Sequence, residues 1–333
     1  MTPSDVLADS LASLPPAPRR APRIATGTAP AAKAGPPPIA ASIAASIPPV
    51  GRRRVPVGRH TLYRGDCLEV MRRLPASSVD VIVTSPPYNL GLRYGSYRDR
   101  RAEEDYLAWL VEVAAAVKRV MRPDGSFFLN ITGSRSMPWL PFELIVRLRE
   151  LFHLQNHVTW VKSISIGEDT LGHFKPVNST RYLHRAHENL FHLTATGDVK
   201  LRRLAIGVPF KDKTNIRRRN HAQDMRCRGD CWFIPYETVR TRAEKFDHPC
   251  TFPVLLPQMC LRLHGVNAPV VLDPFMGTGT TVLAAHLEGG RGIGIDLDPD
   301  YVSMARTRLR AEMRRGRTTP SGVDLADPDQ GWR

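Results

Sequence analysis

Val79 to Thr84 (VDVIVT) is a short, almost wholly apolar run that stops at Ser85-Pro86-Pro87. Its length, its β-branched content and the turn signal after it predict a buried strand. From Ala102 to Met121 the period changes: Tyr106, Leu110, Val113, Val117 and Val120 recur at helical spacing. This predicts a helix with one buried stripe, ended by Pro123-Asp124-Gly125 and followed by a strand over Ser126 to Ile131. A helix from about Leu140 to Phe152 and a strand from about Asn156 to Val161 continue the alternation. Near the carboxyl end the pattern returns as strand Pro269 to Leu272, helix Thr280 to Leu287, strand Gly292 to Ile295 and helix Pro299 to about Met313. Strands alternating with helices predict an α/β fold, a mostly parallel sheet with helices on both faces. No internal repeat is visible.

Two stretches fall outside this pattern. Residues 1–58 are rich in Ala and Pro, with Pro36-Pro37-Pro38, Pro48-Pro49 and the cluster Arg52-Arg53-Arg54. Such a segment offers too little apolar surface to offset its ordering entropy and reads as a disordered basic tail, with a transit peptide as the rival reading. Residues 316–333 read as a second tail. Between Lys200 and Lys245, thirteen Lys and Arg stand against five Asp and Glu, with Trp232, Phe233 and Tyr236 interleaved.

Charge and cysteine content narrow the picture. A formal charge of +15 over 333 residues favours a polyanionic partner, because each cation that neutralises a phosphate releases a condensed counterion; it does not by itself separate nucleic acid from an anionic membrane. No apolar run reaches the roughly 18 residues of a membrane span, and Asp5 and Asp9 stand where a signal peptide carries Lys or Arg. The five cysteines are irregularly spaced, which argues for free thiols and a reducing cytoplasm. Cys227-x-x-x-Cys231 with His221 makes at most half of a zinc site, so no metal is expected.

Two motifs carry the candidate chemistry. Asp273-Pro274-Phe275-Met276-Gly277-Thr278-Gly279-Thr280-Thr281 follows a predicted strand and opens a predicted helix, where glycines let backbone approach a ligand. It lacks the Lys of a P-loop and the Gly-x-Gly-x-x-Gly of a dinucleotide loop. Asp273 instead sets a carboxylate at the strand's end, suited to a cationic amino group, and Asp296 ends the next strand, where ribose hydroxyls are gripped. The plainer reading is a tight turn with two helix-capping acids. Thr84-Ser85-Pro86-Pro87-Tyr88-Asn89 also lies at the carboxyl end of a core strand, the ligand-binding edge of open α/β sheets; the alternative is a polar turn with two prolines.

Together, the Ser-Pro-Pro-Tyr tetrad and the Asp-Pro-Phe-x-Gly-x-Gly-Thr-Thr loop resemble those of amino-methylating DNA methyltransferases of restriction-modification type, over roughly residues 60–312. The motif order, tetrad first and cofactor loop last, resembles the β arrangement. The resemblance implies a circularly permuted, Rossmann-like, seven-stranded sheet: a catalytic half at 59–195, a basic target-recognition region at 196–246 and a cofactor-binding half at 247–315. It implies S-adenosyl-L-methionine held by Asp273, Phe275, Gly277, Gly279, Thr280 and Asp296. Thr251, Phe252 and Pro253 would pack on its methionine end, and Asp66 and Cys67 would contact its adenine.

Because the chain ends soon after Asp296, Arg59 to Tyr63 is expected to supply the next strand of the sheet. Ser85 Oγ and the Pro86 carbonyl would accept the two amino hydrogens of the target and turn its lone pair toward the methyl group. Pro87 stiffens the backbone, and Tyr88 offers a ring for a flipped base. Arg181 to Leu193 resembles the family strand beside the base, with His187 and Glu188 in either a structural or a catalytic role. Lys211, Lys213, Arg217, Arg218 and Arg219 would contact phosphates of double-stranded DNA, the alternative being a solvated charged face. Ser at the first tetrad position goes in this family with cytosine N4, Asp with adenine N6. The rival readings are an adenine-N6, RNA or protein-amide methyltransferase, and a non-catalytic DNA-binding module. The resemblance further implies a bacterial, nucleoid-associated enzyme and admits a homodimer.

Overall fold

The computed structural model describes residues 53–89, 100–172, 177–218, 224–235 and 252–316. In chain order the strands are β1 (Arg53–Val57), β2 (His60–Arg64), β3 (Val79–Thr84), β4 (Met121–Ile131), β5 (His153–Val161), β6 (Ser163–Ile166), β7 (Asp169–Gly172), β8 (His187–Thr194), β9 (Cys231–Phe233), β10 (Val270–Asp273) and β11 (Arg291–Asp296). The helices are α1 (Cys67–Met71), α2 (Glu103–Val120), α3 (Leu140–Leu148), α4 (Thr214–Arg218), α5 (Leu255–His264), α6 (Thr280–Leu287) and α7 (Pro299–Arg314).

The main sheet runs β1-β2-β11-β10-β3-β4-β8-β5-β9. From β2 to β4 every pairing is parallel. Outside that block β1 is antiparallel to β2, β8 is antiparallel to β4 and β5, and β9 is parallel to β5. This corrects the expectation of a seven-stranded sheet: among the described residues it has nine strands and is mixed. One addition is β1, which lies inside the stretch expected as a tail. The rest of both expected tails, apart from 58 and 316, lies outside the described residues. The strand expected from Arg59 to Tyr63 is β2, parallel to β11 with Ile293 opposite Thr61.

Alternation along the strands divides the core between two faces. Phe127, Leu129 and Ile131 of β4 join α1, α2 and α3 on one face, while Phe128 joins Val81, Val83 and the buried side of α5 on the other. A third cluster, around Leu62, Val282, Val302 and Leu309, seats α6 and α7 near β2. Helix α2 forms where its spacing predicts, with Glu103, Glu104 and Asp105 in its first turn and Lys118 and Arg119 in its last, matching the helix dipole. Its end differs from expectation. Met121 already pairs with Val79, and Pro123-Asp124-Gly125 sits in a bulge before Ser126 pairs with Val81. A proline is tolerated there because a bulge asks for no ladder donor.

Phe128 is fully buried and stacks on His192 with ring centroids 4.5 Å apart. Phe128→Ala is therefore expected to cost about 3–5 kcal/mol of stability, read as a lower urea midpoint at unchanged slope. A loss below about 1 kcal/mol would contradict this packing.

Candidate active site

Strands β3 and β10 are parallel neighbours, with Val81 opposite Val271 and Ile82 opposite Leu272, so their carboxyl ends emerge on one edge. There the two motifs meet. Thr84 Oγ1 donates to Asp273 Oδ1 at 2.6 Å, a bond between residues 189 positions apart, and the Phe275 N–H donates to the same oxygen at 3.0 Å. Below it Thr281 Oγ1 donates to the Val83 carbonyl at 3.2 Å, tying α6 to β3.

The second acid closes the loop from the other side. Asp296 Oδ2 accepts from Gly277 N at 2.8 Å and Oδ1 from Asp298 N at 2.8 Å, while its carbonyl accepts from Gly65 N at 2.9 Å. Burial pushes the Asp273 carboxyl up to about 6 and that of Asp296 up to about 7, against the hydrogen bonds that favour their charged forms. Two buried carboxyls, both raised by that burial, thus stand at one sheet edge. Gly279 begins α6 at φ 84°, and a Cβ there would lie 2.8 Å from Ala305 Cβ, so glycine is required by both conformation and space. Phe275 faces Trp109 with ring centroids 5.4 Å apart, forming an apolar wall beside the loop.

The tetrad folds back on itself. Ser85 is half-buried, and its Oγ donates to the Tyr88 hydroxyl at 2.8 Å. Tyr88 is only 8% exposed and donates to Glu188 Oε2 at 2.8 Å, so the ring expected as an open stacking surface is packed and its hydroxyl engaged. The Tyr106 hydroxyl donates to the Pro87 carbonyl. Asn89, at φ 56°, clamps Arg101 through both backbone groups, donating to its carbonyl at 2.9 Å and accepting from its N–H at 2.8 Å.

The remaining expected residues divide. Asp66 caps α1 by accepting from Glu69 N at 3.0 Å, and Cys67 is buried behind it, its thiol pushed up by that burial. Both stand next to Gly65, which binds the Asp296 carbonyl. Phe252 and Pro253 precede α5 and Phe252 packs on the core under β3, whereas Thr251 lies outside the described residues. Lys211 is exposed; Lys213 is paired with Asp224. Arg217 and Arg218 lie on α4 with side chains outside the described residues, as is the whole of Arg219. Cys227 and Cys231 are exposed free thiols, His221 lies outside the described residues, and among those described no cluster of three His, Cys, Asp or Glu is set to hold a metal. Unforeseen were Asn130 and Lys162, which join Glu188 behind the tetrad; Asn130 is a single polar residue near the end of the apolar run Phe127–Ile131, whereas Lys162, between β5 and β6, carries no such signal.

Comparison with known proteins agrees with this geometry. The N6/N4 methyltransferase family model, described as DNA methylase, matches residues 79–307. The Type II methyltransferase M.XycI of Xanthomonas campestris pv. cyanopsidis is 30% identical, over 76% of this chain and 88% of its own. The DNA adenine methyltransferase YhdJ of Escherichia coli (strain K12) is 27% identical, over 75% and 82%. Among solved structures, a DNA modification methylase of Thermus thermophilus, complexed with S-adenosyl-L-methionine, superposes with a TM-score of 0.52 at 26% identity, over 76% of this chain and 94% of that one. With both motifs at one sheet edge and the family match spanning most of the chain, the protein belongs to the N6/N4-type DNA methylases.

Proposed function

We propose that the protein transfers a methyl group from S-adenosyl-L-methionine to the exocyclic N4 of cytosine within a short sequence of double-stranded DNA. The observation that carries this reading is the 2.6 Å bond from Thr84 to Asp273, which sets Ser85 beside the Asp273–Thr281 loop. When bound, S-adenosyl-L-methionine supplies an electrophilic sulfonium methyl group. The residues present suit it: Asp296 for ribose hydroxyls, Asp273 for the methionine amino end, glycines where backbone must approach, and the Phe275–Trp109 wall. Asp66, Cys67, Phe252, Pro253 and Thr280 complete this pocket.

An exocyclic amino group is a weak nucleophile because its lone pair is delocalised into the base. Acceptors at Ser85 Oγ and the Pro86 carbonyl would draw on its two hydrogens and free that lone pair for direct, in-line transfer. Tyr106 already donates to the Pro87 carbonyl, the other acceptor of the proline pair. The target must leave the helical stack to reach this edge. In this reading the chain is a circular permutation: residues 59–195 form the catalytic half, 196–246 the recognition region and 247–315 the cofactor half. Lys211, Arg217, Arg218 and Arg219 track phosphates, with Lys213 released from Asp224 to join them, and the enzyme works on the nucleoid in a bacterial cytoplasm. Ser85 at the head of the tetrad favours cytosine. Adenine N6 is the second reading, favoured by the relative named for adenine.

Single-molecule sequencing of DNA from cells expressing the protein is expected to reveal N4-methylcytosine in one short motif and none with Ser85→Ala. N6-methyladenine in its place would overturn the choice of base, and unmodified DNA the reaction itself. The raised acids give a second expectation. Their folded-state values lie above the ordinary 3.8, so the free protein loses stability as pH rises from there until about 6 to 7, and a ligand that needs the carboxylates recovers it. Calorimetric affinity for S-adenosyl-L-methionine should therefore rise from pH 5.5 to 7.5, by up to about tenfold per pH unit for each proton released; a flat profile would contradict these roles.

A further inference from the structure

Behind the tetrad lies a polar cluster that neither the transfer step nor cofactor binding uses. Glu188, on β8, is 6% exposed. Its Oε1 pairs with Lys162 Nζ at 2.9 Å, and its Oε2 accepts from Tyr88 at 2.8 Å and from Asn130 Nδ2 at 2.7 Å. Asn130, 1% exposed at the end of β4, also donates to the Tyr88 hydroxyl at 2.9 Å. Its orientation is fixed, because the flipped amide would set Oδ1 against the carboxylate at the same 2.7 Å; as it stands Oδ1 is buried without a hydrogen-bond partner.

Counting donors along this chain gives it a direction. An ionised carboxylate accepts only, so the single Tyr88 hydrogen points to Glu188. The Tyr88 oxygen then meets its neighbours as an acceptor, taking one hydrogen from Asn130 and one from Ser85 at 2.8 Å. The Ser85 hydrogen is committed inward, one of its two lone pairs meets Asn130 Nδ2 at 3.5 Å, and what Ser85 keeps for the open side of the sheet edge is a lone pair.

We infer that Glu188 is a positioning residue that, through Tyr88 and with Asn130, sets Ser85 as an obligate hydrogen-bond acceptor and so selects an amino over a keto group at the target base. This rests on the reading of the Ser85 tetrad as the seat of that base. With Gln at 188 the chain loses its fixed end: the amide can donate to Tyr88, the hydroxyls can reverse, and Ser85 can present its hydrogen as readily as its lone pairs. Selection by hydrogen-bond direction is strong when the site is buried, since the wrong partner leaves like groups facing each other.

The test reads binding rather than turnover. Duplexes carrying the motif found by sequencing are bound in the presence of S-adenosyl-L-homocysteine, with the target base either intact or carrying a keto group in place of its amino group, uracil for cytosine or hypoxanthine for adenine. The ratio of the two affinities is compared among wild type, Ser85→Ala and Glu188→Gln, which cancels the effect of the altered base pair. Glu188→Gln is expected to lower the ratio about tenfold, to the value of Ser85→Ala, with affinity for S-adenosyl-L-homocysteine unchanged. A Glu188→Gln ratio equal to wild type would overturn the inference and leave the reading of Ser85 standing. A wild-type ratio equal to that of Ser85→Ala would overturn that reading. Should Glu188→Gln lose its far-ultraviolet circular dichroism, Tyr88→Phe, which cuts the same chain and keeps the ring, carries the same expectation and the same contradiction.

Discussion

Everything at the sheet edge depends on one buried hydrogen bond, from Thr84 Oγ1 to Asp273 Oδ1. It joins the last residues of β3 and β10, 1% and 2% exposed, and so joins sequence elements that the chain makes far apart. Asp273 Oδ1 also keeps the Phe275 N–H as a donor, whereas a buried hydroxyl without an acceptor carries its full desolvation cost. The bond therefore holds the tetrad and the glycine loop in register. Thr281, bonded to the Val83 carbonyl, secures the start of α6 to the same strand.

Around that joint the site is assembled by parallel pairing. Because β2, β11, β10, β3 and β4 all run one way, their carboxyl ends deliver Asp296, Asp273, Ser85 and Asn130 to a single edge, and the loops after them need only short reaches to meet. The antiparallel β8 adds what a parallel strand in its place would not. Its amino end lies at that edge, so Glu188 arrives beside Asn130. The mixed character of the sheet is thus part of the site.

Much of this was legible in the sequence because the central strands are buried on both faces and α2 on one, which writes their periods plainly. Strand β3 and helix α6 fall where the apolar pattern ends at Ser85 and begins at Thr280. The joining of the two motifs followed from their places at strand ends. What stayed hidden has physical reasons. The charged Arg53 and Arg54 and the Pro56 of β1 read as tail, since an edge strand need bury little. Pro257 obscured α5, although a proline in the first turn leaves no ladder bond unmade. The Glu188 cluster was invisible because hydrogen bonding across strands depends on register, which three polar residues far apart in the chain do not reveal. The charge run near Lys213 concealed its pairing with Asp224, which joins two loop residues eleven positions apart.

The joint at Thr84 and Asp273 can be tested without DNA. Affinity for S-adenosyl-L-homocysteine, measured by titration calorimetry at pH 7.5 for Thr84→Val, Asp273→Asn and the double variant, reports whether the two residues act as one. Each single change is expected to weaken binding, and the double variant to be no weaker than Asp273→Asn alone. Losses that multiply in the double variant would mean that the two ends of the chain serve the cofactor independently, and would contradict a single shared joint.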